Sequence, residues 1–210
     1  MCGITGFIDY SHIIDSSHFK DIINKMSDTL IHRGPDKSGV WIDYKSGIAL
    51  GHRRLSIIDL SDAGHQPMQS HSGRYIITFN GEIYNYQEIR GDLEYYKEHL
   101  WRGHSDTEVM LAAIETWGIE KAIKKFVGMF AFALWDRDKK TLHLARDRFG
   151  EKPLYYGWMG NCFLFASELK ALKQHPAWDD EIDRDAICLY LRHNYIPAPY
   201  SIYKDGWVFF

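Results

Sequence analysis

The sequence predicts an α+β fold in which two mainly antiparallel β-sheets pack face to face and carry helices on their outer sides, a four-layer α-β-β-α sandwich. Three observations predict it. Strand-like runs follow one another at close spacing with short Gly, Ser and Asp turns between them, which favours antiparallel pairing. The run Met129-Phe130-Ala131-Phe132-Ala133-Leu134-Trp135 is apolar on both faces, unlike a strand with one wet face, so both faces must be covered. Segments with apolar residues at helical spacing supply the covering layers.

Residues 3–9 read as a strand. Phe19, Ile22, Ile23, Met26 and Leu30 then share one helical face behind the cap candidates Ser16 and Ser17. After the turn His32-Arg33-Gly34-Pro35-Asp36, strands are expected at 39–43, 47–58 and 74–79. Val109, Met110, Ala113, Ile114 and Trp117 lie on one face of a second helix, and Ser105-Asp106-Thr107-Glu108 fits a capping box at its start. A short helix is expected over 119–126. Segments 128–135, 141–146, 154–158 and 162–166 read as a four-strand meander, and 184–192 as a further helix. Pro197 and Pro199 mark an extended segment with the character of a linker.

At 210 residues, with 45% hydrophobic and 25% charged, the chain has ordinary globular composition and the length for one main domain. A net charge of −3 with interspersed signs gives no basic field, so small molecules or protein are expected as partners and nucleic acid is not. Cysteines at 2, 162 and 188 form no CxxC pair and cannot all be bridged within one chain, which points to a reducing compartment, the cytoplasm. The N-terminus lacks the basic and apolar regions of a secretion signal, and no apolar run approaches the roughly 18 residues of a membrane span. No membrane association is expected.

Removal of Met1 would make Cys2 the N-terminal residue. Its own α-amine, with a pKa of about 7.7–8 against about 8.5 for a free thiol, could then take the thiol proton near neutral pH. Such a nucleophile attacks a carbonyl carbon without a histidine partner, so acyl transfer or amide hydrolysis is the expected reaction class. The competing reading is a small residue opening an apolar strand.

Asn80-Gly81-Glu82 follows an apolar run and could supply an oxyanion hole from the Asn amide and the Gly N–H, while Asn-Gly is also a hairpin-turn signal. Arg54 could grip a substrate carboxylate through its guanidinium fork, or lie on a strand surface. Asp106 could hold an ammonium group, or serve only the first turn of a helix. His104 has no identifiable partner and reads as a loop histidine. No HExxH pair, Walker-type phosphate loop or GxGxxG after a strand occurs, so no metal or nucleotide site is expected.

The stretches Met1-Cys2-Gly3-Ile4, His32-Arg33-Gly34-Pro35-Asp36, Arg54-Leu55-Ser56-Ile57-Ile58-Asp59, Asn80-Gly81-Glu82-Ile83-Tyr84-Asn85, Ser105-Asp106-Thr107-Glu108-Val109, Gly128-Met129-Phe130-Ala131-Phe132-Ala133, Arg146-Asp147-Arg148-Phe149-Gly150 and Phe165-Ala166-Ser167-Glu168-Leu169-Lys170 follow in order along the chain. Together they resemble the N-terminal glutaminase domain of glutamine-hydrolysing asparagine synthetases, class II glutamine amidotransferases of the Ntn-hydrolase (N-terminal-nucleophile) type. The resemblance implies Cys2 as nucleophile, its freed amine as general base, and Asn80 and Gly81 as oxyanion hole. Arg54 would hold the α-carboxylate of L-glutamine, with backbone groups of Leu55, Ser56, Ile57 and Ile58 lining the site. Asp106, with Gly81 and Glu82, would hold the α-ammonium group. A glutamyl thioester would form, ammonia would leave, and water would release glutamate.

The same resemblance assigns residues 1–182 to the glutaminase domain and 183–210 to a helix and the start of a linker toward a synthetase domain that these residues lack. In the family that domain receives the ammonia and activates aspartate with ATP; ATP and magnesium belong to it, and no cofactor is implied for this chain. The match continues through Tyr195-Ile196-Pro197-Ala198-Pro199 and Ile202-Tyr203-Lys204, then ends at Gly206-Trp207-Val208-Phe209-Phe210, an apolar tail with no following core to receive it. The expected partners are L-glutamine and a synthetase domain or separate chain taking the ammonia, with a homodimer left open. Two other readings stay in view: a non-catalytic fragment that binds or regulates a partner synthetase, and the glutaminase module of an amidotransferase acting on another carboxylate.

Overall fold

A computed structural model describes residues 1–10, 15–96, 101–204 and 206–208. β1 (Gly3–Asp9) is buried along its whole length because alternate side chains face two covered layers: Ile4 and Ile8 toward the second sheet, Phe7 toward a helix. That helix, α1 (Phe19–Asp28), seats Phe19, Ile22, Ile23 and Met26 against the sheet. The expected serine cap is not made. A 3-10 turn over Ser16–His18 precedes α1, Asp15 Oδ1 accepts the Ser17 amide at 3.0 Å, and His18 in the cap position makes no side-chain capping bond to the helix.

β2 (Lys37–Asp43) pairs with β3 (Ile48–Arg54), and β3 with β1, Gly3 opposite Arg53. The strand expected over 47–58 stops at Arg54 because the following amides turn to side-chain acceptors. Asp36 Oδ2 takes the Ser56 amide and Asp59 Oδ1 the Ser61 amide, each at 2.8 Å.

The second sheet begins with β4 (Met68–Gln69), which the sequence did not announce, and β5 (Tyr75–Ile83). β5 outruns the expected 74–79, so Asn80 and Gly81 lie inside a strand, opposite Ala131 and Phe130, and the hairpin-turn reading is corrected. A β-carbon on Gly81 would collide with the Met129 carbonyl; the glycine permits close approach of the neighbouring strand, not a turn. α2 (Tyr86–Tyr96), also unannounced, α3 (Asp106–Trp117) and α4 (Ile119–Lys125) cover this sheet. Ser105 Oγ accepts the Glu108 amide at 3.2 Å, but Glu108 completes no reciprocal box: it accepts the amides of Arg102 and Gly103 at 2.8 and 3.0 Å.

β6 (Gly128–Asp136) and β7 (Thr141–Arg146) finish the second sheet, in the order β4-β5-β6-β7. β8 (Tyr155–Met159) and β9 (Cys162–Ala166) return to the first, so the expected meander is divided between two sheets. The crossing is built by Asp147, whose buried carboxylate accepts the amides of Phe130, Phe149, Glu151 and Lys152 at 3.0 to 3.2 Å. Arg146 holds the same turn from the other side, donating to the carbonyls of Lys152 and Gly150, and a reversal held by two side chains leaves no periodicity to read.

α5 (Leu169–Leu172) and α6 (Arg184–His193) follow, the latter capped by Asp183, and Ile182 bridges Tyr203. β10 (Gly206–Val208) pairs with β8, giving the first sheet the order β10-β8-β9-β1-β3-β2. The tail expected to lack a partner therefore finds a sheet edge with its backbone; Phe209 and Phe210 lie outside the described residues. Among the described residues all strand pairs are antiparallel. β6 shows why both faces of its run are apolar: Phe130, Phe132 and Leu134 meet the helices, Ala131, Ala133 and Trp135 the other sheet. Burying each large side chain contributes about 1.5–3 kcal/mol. Among the described residues no helix is long and apolar enough to cross a membrane.

Candidate active site

The residue before β1, the end of β3, the middle of β5 and the start of α3 converge on a cavity of about 90 Å³. Cys2 sits on it half-buried. The Leu55 amide donates to Cys2 Sγ at 3.4 Å, and the thiol lies 3.6 Å from the Leu55 carbonyl. Burial pushes the thiol pKa up, against the Leu55 contact, the N-terminal ammonium and Arg54, while Asp106 adds to the rise. A thiol kept protonated needs a base at hand.

The turn after α1 braces this corner. Arg33 Nε donates to the Cys2 carbonyl at 3.0 Å. A β-carbon on Gly34 would strike the Arg53 carbonyl, so only glycine lets the turn lie against the end of β3. Asp36 then fixes the Ser56 amide as described.

Arg54 is buried, its guanidinium donating to the carbonyls of Ser61 (2.9 Å) and Asp59 and resting over Gly64. The loop that Arg54 holds is tied to the approach of α3, because Asp59 Oδ2 accepts the His104 amide at 3.0 Å. Across the sheets, His52 Nε2 lies 3.0 Å from the Phe79 carbonyl and Thr78 Oγ1 donates to the Gly51 carbonyl at 3.1 Å. Burial drives the His52 pKa down to about 3, so the ring is neutral and donates through Nε2. These two bonds set the gap between Arg54 and Asn80.

Asn80 is buried, and among the described residues its Nδ2 has no hydrogen-bond partner. An orphaned buried donor costs about 1–3 kcal/mol, so it is a feature to be explained by an acceptor that arrives later. Asp106 Oδ2 accepts the Ile83 amide at 2.9 Å and Oδ1 the Thr107 amide at 2.8 Å. Burial nonetheless raises its pKa to about 6, with Glu82 adding to the rise against those two bonds. Among the described residues it forms no ion pair, which suits it to an incoming cation.

Of the residues singled out from sequence, Cys2, Arg54, Leu55, Ile57, Ile58, Asn80, Gly81, Glu82 and Asp106 line this one cavity. Ser56 does not; its amide is turned to Asp36. Sequence reasoning passed over Gln66, which accepts the Phe79 amide at 2.7 Å and donates to Thr107 at 3.3 Å, and Lys152, a buried lysine on the cavity wall whose Nζ lies 3.0 Å from Met1 Sδ. It also gave Arg33 no role. Neither Gln66 nor Lys152 stands out by spacing, because folding alone brings them to the wall. A larger groove of about 750 Å³ beside Arg74, Glu115 and Arg137 carries no cysteine and no orphaned donor.

The chain matches the family profile described as glutamine amidotransferase domain over residues 1–207. It is 40% identical to asparagine synthetase (glutamine-hydrolysing) 1 of Bacillus subtilis over 96% of this chain and 31% of that protein. With asparagine synthetase (glutamine-hydrolysing) 3 of the same organism the identity is again 40%, over 89% of this chain and 30% of the relative. The chain thus spans about a third of the length of these relatives. Among solved structures it resembles the glutamine phosphoribosylpyrophosphate amidotransferase of B. subtilis, with a TM-score of 0.67 at 21% identity over 82% of this chain and 43% of that one. That likeness fixes the fold as the Ntn-type sandwich.

Proposed function

Because the chain belongs to the glutamine amidotransferase domain family and corresponds to the glutaminase portion of asparagine synthetases, we propose that it hydrolyses L-glutamine to glutamate and ammonia through Cys2. The observation that carries this reading is the meeting of a thiol, an orphaned amide donor, a guanidinium and a cation-seeking carboxylate on one cavity.

In this reading Met1 is removed and the α-amine of Cys2 takes the thiol proton. The sulfur attacks the side-chain carboxamide carbon, and the oxygen that gains negative charge is met by Asn80 Nδ2 and the Gly81 N–H. Arg54 holds the α-carboxylate through its charged fork, with Leu55, Ile57 and Ile58 as the adjoining wall, and Asp106, beside Glu82, holds the α-ammonium. Collapse of the tetrahedral centre breaks the C–N bond, and ammonia departs with the proton stored on the amine. Water, deprotonated by the same amine, cleaves the thioester and returns the thiol.

The ammonia serves ATP-dependent amidation of aspartate by a synthetase domain or chain. Three cysteines without disulfide partners accord with a reducing, cytoplasmic setting. The test is glutamate release from glutamine by processed protein and by Cys2→Ala: release abolished by the substitution supports the reading. A non-catalytic module that only binds a partner synthetase would release none in either form.

A further inference from the structure

We propose that Glu168 is a positioning residue for the nucleophile, acting through Arg33 on the carbonyl of Cys2. The inference rests on the reading of Cys2 as nucleophile. Cys2 stands just outside the β1 ladder, whose first pair is Gly3 with Arg53. With Met1 gone, the ladder cannot fix the backbone of the terminal residue, and ordering it costs about 1–2 kcal/mol of conformational entropy. The Arg33 Nε bond to the Cys2 carbonyl at 3.0 Å supplies the missing restraint.

Arg33 is itself held. Its Nη1 donates to Glu168 Oε1 at 2.8 Å, and the same carboxylate meets His32 Nε2 at 2.9 Å and Lys170 Nζ at 3.1 Å. Desolvation alone would raise the Glu168 pKa, but hydrogen bonds from Arg33, Lys170 and His32 hold it down at about 2, so the anchor is ionised throughout the working range. The neighbouring Ser167 grips Ile4, two residues beyond Cys2, its Oγ accepting the Ile4 amide at 3.0 Å and its amide donating to the Ile4 carbonyl at 2.8 Å. Adjacent residues after β9 therefore fix both sides of Gly3, Ser167 holding Ile4 directly and Glu168 holding Cys2 through Arg33. This gives a task to two sequence stretches, 32–36 and 165–170, that the substrate contacts leave unexplained. Neither Arg33 nor Glu168 lines the cavity, so the pair touches the nucleophile's backbone and not the substrate.

The experiment compares processed wild type with Glu168→Ala and Glu168→Gln in steady-state glutamine hydrolysis. Misplacing a reacting group by about 1 Å costs up to a hundredfold in rate, so kcat is expected to fall about tenfold to a hundredfold in Glu168→Ala, less in Glu168→Gln, with KM within about twofold of wild type. A raised KM at unchanged kcat, or unchanged kinetics in both variants, overturns the proposal. Should Glu168→Ala fail to fold, the glutamine variant carries the comparison. If wild type releases no glutamate, the reading of the site fails separately, and alkylation of Cys2 by iodoacetamide still decides the relay. Faster alkylation in the folded variant supports release of Cys2; an equal rate overturns it.

Discussion

The Leu55 amide donates to the sulfur of Cys2 at 3.4 Å, joining the residue before β1 to the residue after β3. Leu55 follows Arg54, so one backbone turn touches the thiol and presents the guanidinium beside it. Spacing between thiol and guanidinium is thereby built into the pairing of two neighbouring strands.

Asn80→Ala removes the orphaned donor without touching the ladder of β5. The expected loss is about 10²- to 10³-fold in kcat, about 2.7–4 kcal/mol, with KM little changed, because the contact forms only as charge develops. Steady-state kinetics check this. An equal effect on KM and none on kcat would remove Asn80 from the oxyanion hole.

Arg54→Gln is expected to raise KM for glutamine about tenfold to a hundredfold, the worth of a charge-assisted bond of about 1.5–3 kcal/mol. Since the guanidinium also secures the carbonyls of Asp59 and Ser61, limited proteolysis should cut the 55–64 loop faster in the variant. Unaltered KM would contradict the assignment.

Asp106 gives a pH signature. Its carboxyl ionises only above about 6 in the folded chain, so glutamine affinity should weaken as pH falls through that value, whereas Asp106→Asn binds weakly at every pH. The stability effect runs the other way. Between about 4 and about 6 the unfolded chain has released this proton and the folded chain keeps it, so wild-type stability drops as pH rises across that window. Thermal melts of the two proteins should therefore diverge in favour of Asp106→Asn from about pH 4 to about pH 6; parallel melts would show no such penalty.

Asp147→Ala should cost several of the four amide bonds that build the crossing from β7 to β8, each orphaned amide costing about 1–3 kcal/mol. The hydrogen bonds outweigh desolvation and hold the Asp147 pKa below its ordinary value. Its stabilisation is thus present above about pH 4 and lost as pH falls. Denaturant melts at neutral pH check the magnitude.

Layering was legible in the sequence because it rests on periodicity. The two-faced apolar run of β6 required cover on both sides, and α1 and α3 announced their buried faces. What could not be read was set by single side chains over long separations. Asp147 sends the chain to the other sheet, and the continuous pairing of β5 with β6 overrides the turn propensity of Asn80-Gly81. At the site, Cys2, Arg54, Asn80 and Asp106 each carried a structural reading beside the functional one, and local sequence could not tell them apart; the folded chain brings all four to one cavity. Gln66 and Lys152 carried no pattern to find, since their importance lies in burial at a place that only the folded chain defines.

The most direct measurement is mass spectrometry of processed protein quenched in acid during turnover of glutamine. A glutamyl adduct on the peptide that begins with Cys2, absent from Cys2→Ala and released on neutralisation, is the predicted result. Glutamate released at the wild-type rate by Cys2→Ala, with no adduct on the N-terminal peptide, would contradict it.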